Sequence, residues 1–533
     1  MKNQCRTACK ADDNPFYRIS SPLTARLLTA AVALAAAMTL SSCNEMLDKE
    51  PLDSFTDDNF WTAERNVEGY ANMFYNSFDG YSRSLNANAV YYWHKLNDDM
   101  VCANFADWYV KVTPATSDEW KNGFREVRRA NVMIEHLPGM TALTATERDH
   151  WTGVARMMRA WNYYLLVRMF GDVPLVTASV DIDDDGVLYA PRTARDVVMD
   201  SVLADLTYAS LHMRDLSAHD QFSRAMAHAM RSEVCLYEGT QSKYRPAPDM
   251  AHSTRFLQAA KESAQTLMGD AAFSLCTTYQ EKYCSEDLSK NPEIIFYKPY
   301  SQGVMYHPLI IYLCASTTID GMSRDAFDSY LFTDGLPRKL TSLDTTVVAV
   351  ARNGNYNISA ALALRDKRLA ATVDSCIFFK GKTFKRYNRG IAMTSSSGYG
   401  IQKFDSPDID DANRYNNSSS ANFTHAPIFT LAREYLVYAE ACAEMGTLTQ
   451  DDLDASINLL RQRAGLPAMT LPVAFSDPAN NMGVSDLIWE VRRERRVELM
   501  YDGDRYWDLV RWHQLNLLDT SRYPAQNQGA DVT

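Results

Sequence analysis

Apolar residues recur three and four positions apart through most of residues 58–268 and again through 425–516, the period of a helix with one buried face. Phe124, Val127, Asn131 and Ile134 form one such stripe, and Met158, Trp161, Leu165 and Met169 form another. Further helices are predicted over 194–211, 222–240 and 253–268, with Asp, Pro and Gly between them. Near the C-terminus, Leu431, Tyr435, Tyr438, Cys442 and Met445 share a stripe, as do Leu453, Ile457, Leu460 and Ala464. Paired helices of this length, with Ala439, Ala441 and Ala443 permitting close approach, predict helix-turn-helix units stacked as an α-α superhelix. The fold class expected is all-α dominated.

Residues 271–424 break this period. Glu293 to Tyr297 is a strand candidate, and Cys376 to Phe379 with Thr383 to Tyr387 predicts a hairpin about Gly381-Lys382. The remainder is rich in Ser, Asn, Gly and Asp, and loops this long in a folded protein are usually functional or disordered, which makes this the place to look for specificity. Three parts follow: a helical part at 58–270, a loop-rich variable insertion with short β-hairpins at 271–424, and a second helical part at 425–533.

The N-terminus adds an address. Five basic residues (Lys2, Arg6, Lys10, Arg18, Arg26) precede the uncharged run Leu27 to Leu40, which ends in Leu40-Ser41-Ser42-Cys43. A charged stretch, a short apolar run and small residues at the cut predict a signal peptide over 1–42. The run is too short to cross a hydrocarbon core of about 30 Å as a permanent helix. The small-small-Cys ending resembles the bacterial lipoprotein box, which makes Cys43 the first mature residue and the site of acylation. Two or more acyl chains anchor a protein stably. An acidic linker follows at 43–57, with Glu45, Asp48, Glu50 and Asp53. It is similar to the export tag that sends Bacteroidetes lipoproteins to the outward face of the outer membrane.

Charge excludes some partners. Residues 1–42 hold five of the 54 basic and two of the 66 acidic residues, so the remainder carries a net −15 against −12 for the whole chain. Such a surface is unsuited to nucleic acid, whose phosphates need Lys and Arg. Besides Cys43 the mature chain has Cys102, Cys235, Cys276, Cys284, Cys314, Cys376 and Cys442, with no C-x-x-C and no zinc spacing. These are expected to be core thiols.

The densest charge run is Arg492 to Glu498. Ile488, Val491, Arg495 and Leu499 lie on one stripe, which puts Arg495 on the buried side. A buried guanidinium needs acidic partners, and Asp502, Asp504 and Asp508 follow closely. A structural ion-pair network of Arg495, Glu498, Asp502 and Asp508 is expected, with no catalytic role.

The same residues carry a family resemblance. Trp489 to Leu499 followed by Asp502-Gly503-Asp504-Arg505-Tyr506-Trp507-Asp508-Leu509 resembles the C-terminal signature of SusD/RagB lipoproteins. Asp334 to Pro337, Arg365 to Leu369, Pro427 to Phe429 leading into Tyr438 to Ala441, Asn458 to Pro467, and Gly171 to Leu175 appear in the family's order. Asn527-Gln528-Gly529 is similar to its Asn-Pro-Gly ending, with Gln528 in place of proline. Lys367 also stands where proline is common. The resemblance implies four tetratricopeptide-like helix pairs carrying a variable binding region. It implies an outer-membrane nutrient-binding lipoprotein, a SusC-like TonB-dependent transporter as partner, and oligosaccharides, or in some members peptides, as ligands. No cofactor and no catalytic machinery come with it.

The residues agree about chemistry. The chain has no phosphate loop, no G-x-S-x-G and no H-E-x-x-H. An α-rich glycoside hydrolase is the rival reading among enzymes, and a peptide-binding RagB-like protein the rival among binders. Asp181-Ile182-Asp183-Asp184-Asp185-Gly186 begins like a calcium loop, but Arg192 stands where the bidentate Glu belongs, so no metal is assigned. Sugars stack on aromatic rings, and polar side chains fix their hydroxyls. Trp93, Trp161, Trp489 and Trp507 fall in helical or signature patterns, the first on a helix ending near Asp98-Asp99. Trp108 and Tyr109, with Asn104 and Asp107, occupy the irregular stretch where the resemblance places a glycan platform. Tyr300, Tyr306 and Tyr312 lie in a second loop-like stretch. These seven are the expected ligand contacts.

Overall fold

Side-chain caps fix where several of the helices begin. In the computed structural model, the structure describes residues 60–81, 96–101, 116–180, 183–307, 309, 321–343, 350–352, 355–377, 395–405 and 422–530. After α1 (Glu64–Ala71), α2 (Asp118–His136) starts where Ser117 Oγ accepts from the Trp120 amide. A capping box of Thr144 and Glu147 opens α3 (Ala145–Phe170), which stops at Gly171. Then come α4 (Arg195–His212), α5 (Arg224–Tyr244) capped by Ser223, and α6 (Met250–Met268) capped by Asp249. The three helices expected here are present. α5 runs on to Tyr244, and α6 begins earlier, at Met250, because Asp249 supplies the cap.

Each helix packs on the next, from α2 to α6, as tetratricopeptide-like pairing requires. Gly239 brings α5 against α6, since a Cβ there would lie 2.7 Å from Leu257 Cγ. Between α3 and α4 the Arg159 guanidinium donates to both oxygens of Asp205 (2.8 and 2.9 Å). Asn131, the polar member of its stripe, accepts from Arg159 and donates to Val176 O and Ala178 O. Every buried polar group in that stripe is therefore paired.

The strands are short and antiparallel: β1 (Met100–Val101), β2 (Ile294–Lys298), β3 (Gly321–Met322), β4 (Val350–Arg352), β5 (Asn355–Asn357), β6 (Val373–Ile377), β7 (Tyr399–Ile401) and β8 (Ala426–Thr430). β1 pairs with β3 and β2 with β8, while β4-β5-β6-β7 form one sheet in that order. Among the described residues β6 has β5 and β7 as partners. The expected partner at 383–387 lies outside the described residues.

The second helical part does not open as a helix. Residues 426–430 form β8 because the edge of β2 is there to pair with, Lys298 opposite Ala426 and Ile294 opposite Thr430. Thr430 then caps α7 (Leu431–Glu444), followed by α8 (Ile457–Ala464), α9 (Asp486–Glu498) and α10 (Arg505–Arg511). Asp98 and Asp99 lie in a bend leading into β1, not at a helix end, and Trp93 is outside the described residues.

One core runs through all three parts. It extends from Val67 through the helices to Phe296, Phe429, Tyr438 and Trp507. A second core joins the insertion to the signature, with Tyr81, Tyr283, Tyr300 and Phe404 beside Val497, Met500 and Tyr501. Residues Trp61–Thr533 make one compact unit. Among the described residues no helix is long and apolar enough to cross a membrane. Cys235, Cys276, Cys376 and Cys442 are buried and Cys284 is half-buried, and none of these five is in a disulfide. Cys43, Cys102 and Cys314 lie outside the described residues.

Candidate ligand-binding site

The charge run of α9 is almost wholly inside the protein, so both of its faces need partners. Arg495 donates through Nε to Asp508 (3.0 Å) and through Nη2 to Glu233 (3.1 Å). Asp508 also accepts from Arg511, which forks onto Glu440 of α7 at 2.6 and 2.8 Å. Arg492 reaches Glu444, and Arg496 bonds Asp99 and Asp325. Glu494 accepts from Arg368 and Arg461.

Glu498, with no solvent exposure, belongs to a different group of charges from Arg495. It accepts from Lys282 (3.0 Å), Arg368 (3.1 Å) and Arg463 (2.5 Å). Burial would push its carboxyl up, but Arg463, Lys282 and Arg368 outweigh burial and hold it well below the usual carboxylate range. Asp502 turns away from Arg495. Tyr501 and Gly503 have φ of +66° and +92°, and the kinked backbone sends the Asp502 carboxylate to Lys403 Nζ (2.6 Å) and the Tyr283 hydroxyl (2.8 Å). The expected single network is therefore split in two, with Asp502 outside both.

That kink forms one wall of a cleft of about 210 Å³. Ser77–Tyr81 and the start of β8 form the opposite walls, and Trp161, Leu165 and Arg168 of α3 complete the lining. Gly80, at φ +57°, is needed there because a Cβ would meet the Tyr300 hydroxyl at 2.8 Å and Lys298 Cδ at 2.9 Å. Lys298 Nζ donates to Phe78 O (2.7 Å) and ties the wall to β2. Asp504 accepts both arms of Arg433, at 2.7 and 2.8 Å. Burial pushes the Lys403 amine down to about 8, although Asp502 opposes this. A second cleft, of about 220 Å³, opens beside Trp489 among Asp325, Asp328, Arg338 and Lys339. Each cleft combines indole surface with charged hydrogen-bonding groups, a lining suited to small polyhydroxylated ligands.

Behind the first cleft, Tyr81, Tyr300 and His307 pack as a cluster, with ring centroids 4.8 Å apart for Tyr300 and His307 and 5.0 Å for Tyr81 and His307. Burial pushes His307 down to about 3, so the ring is neutral, and its Nε2 faces Thr424 O at 3.0 Å. Tyr300 is only 3 % exposed, which corrects its assignment as a stacking contact. Its amide donates to His425 Nδ1 (3.1 Å), and its ring packs against Tyr81 and His307. Tyr306 is half-buried, just past the turn closed by Ser301 and Met305. Asn104, Asp107, Trp108, Tyr109 and Tyr312 lie outside the described residues.

Among the described residues one set of metal-ligand types converges, Asp196, Glu238 and His252. Arg245 forks onto Asp196 at 2.8 and 2.9 Å, and Arg195 bonds Glu238 (3.1 Å), so two guanidinium groups already supply the counter-charge. In the acidic turn, Asp184 caps a short helix at Asp185–Leu188, and Arg192 donates to the carbonyls of Phe170 and Asp172.

Several charged partners of α9 escape a reading of the sequence, because Glu233, Lys282 and Glu444 are distant from it. Arg368 and Arg463 stand inside the family motifs, which is the one signal that points to them.

Residues 316–533 match the profile of the SusD family, and residues 41–236 match a SusD-like family described as starch-binding and associating with the outer membrane. The chain belongs to the SusD/RagB family. A SusD-like protein of Formosa agariphila is 25 % identical over 486 residues, covering 89 % of this chain and 88 % of the relative. Among solved structures, a SusD-like carbohydrate-binding protein of Bacteroides fragilis superposes with a TM-score of 0.64 at 20 % identity, covering 89 % of this chain and 93 % of the other. A laminarin-binding SusD-like protein superposes with a TM-score of 0.59 at 19 % identity, covering 88 % and 95 %. The SusD fold explains why the signature is so charged. It is the buried framework that holds β8, α7 and the cleft wall together.

Proposed function

We propose that this SusD-family protein captures oligosaccharides at the cell surface and delivers them to a SusC-like TonB-dependent transporter, without catalysing any reaction. The observation that carries the reading is the match of both parts of the chain to SusD families, one of them described as starch-binding and outer-membrane-associated. The laminarin-binding neighbour of the same fold supports glycans over peptides. Binding falls to the stretches around Asn104, Asp107, Trp108 and Tyr109 and around Tyr306 and Tyr312. A well-packed stacking anchor contributes about 2 kcal/mol or more. Trp108→Ala therefore weakens glycan binding by over tenfold in calorimetry while melting is unchanged; unchanged affinity would put the platform elsewhere.

Anchoring rests on Cys43, because acylation needs its thiol and the acidic mature chain offers no basic patch for anionic lipid. The protein then faces outward on the outer membrane. Cys43→Ser releases it from the membrane fraction or leaves it unprocessed. A Ser variant that still fractionates with membranes and stays accessible to external protease contradicts the lipid anchor.

A further inference from the structure

Arg168, in the last turn of α3, is the charge in the cleft wall that the framework leaves over. Both oxygens of Asp504 are taken by Arg433. Both oxygens of Asp502 are taken by Lys403 and Tyr283. Arg168 has no carboxylate within 4 Å among the described residues, and its one hydrogen bond is a long contact of 3.4 Å to the Tyr164 hydroxyl. Its guanidinium is nonetheless fixed in place, stacked 4.0 Å over the Trp507 ring and 5.1 Å over Tyr164. Close by on the same helix, the buried Nε1 of Trp161 has no acceptor. The charge of Arg168 acts on Asp504 at longer range, but the buried Nε of Arg168 has no hydrogen-bond acceptor, which is uncommon because buried donors are normally satisfied.

The unpartnered groups here are thus the donors of Arg168 and Trp161, while Asp502 and Asp504 each already hold a cation. Arg carries five N–H donors and no acceptor, and its planar fork matches a carboxylate. A neutral sugar hydroxyl can accept one hydrogen bond from these donors but brings no charge and does not match the planar fork. An acidic sugar brings the acceptor-only group that is missing. We infer that this cleft is a subsite for the carboxylate of a uronic acid unit, with Arg168 as the residue that selects it. This rests on the glycan-capture reading and names the class of glycan. The cleft, about 210 Å³, suits one sugar unit at an end or branch, not a chain.

The test uses the soluble chain lacking residues 1–43 and a panel of uronic acid oligosaccharides (galacturonate, glucuronate and mannuronate), each beside its methyl ester. Within a pair the carboxylate loses its charge and one acceptor oxygen and gains a methyl group. Calorimetry at low salt is expected to show at least one acid form bound ten-fold or more tighter than its ester. Arg168→Gln abolishes the difference between acid and ester, lowering acid binding by ten-fold or more, whereas Arg168→Lys keeps part of it. Trp161→Phe, which retains the ring and removes the N–H, has a smaller effect in the same direction. Equal affinity of acid and ester in the unmutated protein overturns the inference, as does an Arg168→Gln variant with normal melting and an intact preference. If neutral glycans bind and no acid is preferred, this inference falls and glycan capture stands. If no glycan of either kind binds, both fall.

Discussion

Glu498→Ala lowers stability by about 3–5 kcal/mol, the range for breaking a buried ion pair from one side. Glu498 sits in a closed set of buried charges. Lys282 and Arg463 each bond Glu293 as well as Glu498. Arg368 bonds Asp366, Glu494 and Glu498, and Arg461 bonds Glu494. The cations Lys282, Arg368, Arg461 and Arg463 thus face the acids Glu293, Asp366, Glu494 and Glu498. Removing one acid leaves an uncompensated positive charge where water does not reach. The folded carboxyl is held well below its unfolded value. Its contribution is therefore present above the ordinary glutamate pKa and is lost as pH falls through the depressed value. Chemical denaturation at pH 7 should show the full loss, and the difference between variant and parent should shrink in acid. A variant with unchanged stability at pH 7 would mean the network contributes nothing net.

Glu434→Gln acts in the opposite direction. Glu434 lies in α7, every residue of which is buried, and neither carboxyl oxygen has a hydrogen-bond partner. The neighbouring Ser232 hydroxyl donates to Ala229 O instead (2.8 Å). Burial, helped by the nearby Glu233, pushes the carboxyl up to about 8. Below the ordinary glutamate pKa the group is neutral whether folded or unfolded and carries no penalty. As pH rises from there to about 8 the unfolded chain ionises and the folded one does not, so stability falls across that window. The penalty amounts to a few kcal/mol, because each tenfold change in proton affinity is worth about 1.4 kcal/mol. Glu434→Gln should raise the melting temperature at pH 8, match the parent near pH 4.5, and flatten the slope between. A parallel pH dependence for both proteins would show that Glu434 ionises freely.

The helical parts are legible in the sequence because their stripes repeat at 3.6 residues and Ser, Thr and Asp stand at the starts. The start of α7 is not, because Ala426–Thr430 is a strand only by virtue of its pairing with Ile294–Lys298, far away in sequence. α7 itself reads as one apolar stripe opposite charges, the pattern of a surface helix. In the structure Arg433, Glu440 and Glu444 face inward, because Asp504, Arg511 and Arg492 arrive from elsewhere to meet them. Asp502 departs from its expected place for a local reason, since sequence spacing does not reveal the positive φ at Tyr501 and Gly503 that turns it aside. Tyr300 reads as a loop aromatic, yet His425 and His307 enclose it from other segments. That Arg168 lacks a close carboxylate partner becomes visible only once the partners of Asp502 and Asp504 are known.

Glycan capture is tested most directly by a glycan array on the soluble chain lacking residues 1–43, followed by calorimetry and a reducing-end assay on each hit. The account predicts saturable binding to at least one oligosaccharide, with no new reducing ends on prolonged incubation. Binding to peptides without binding to any glycan, or release of reducing ends, would contradict it.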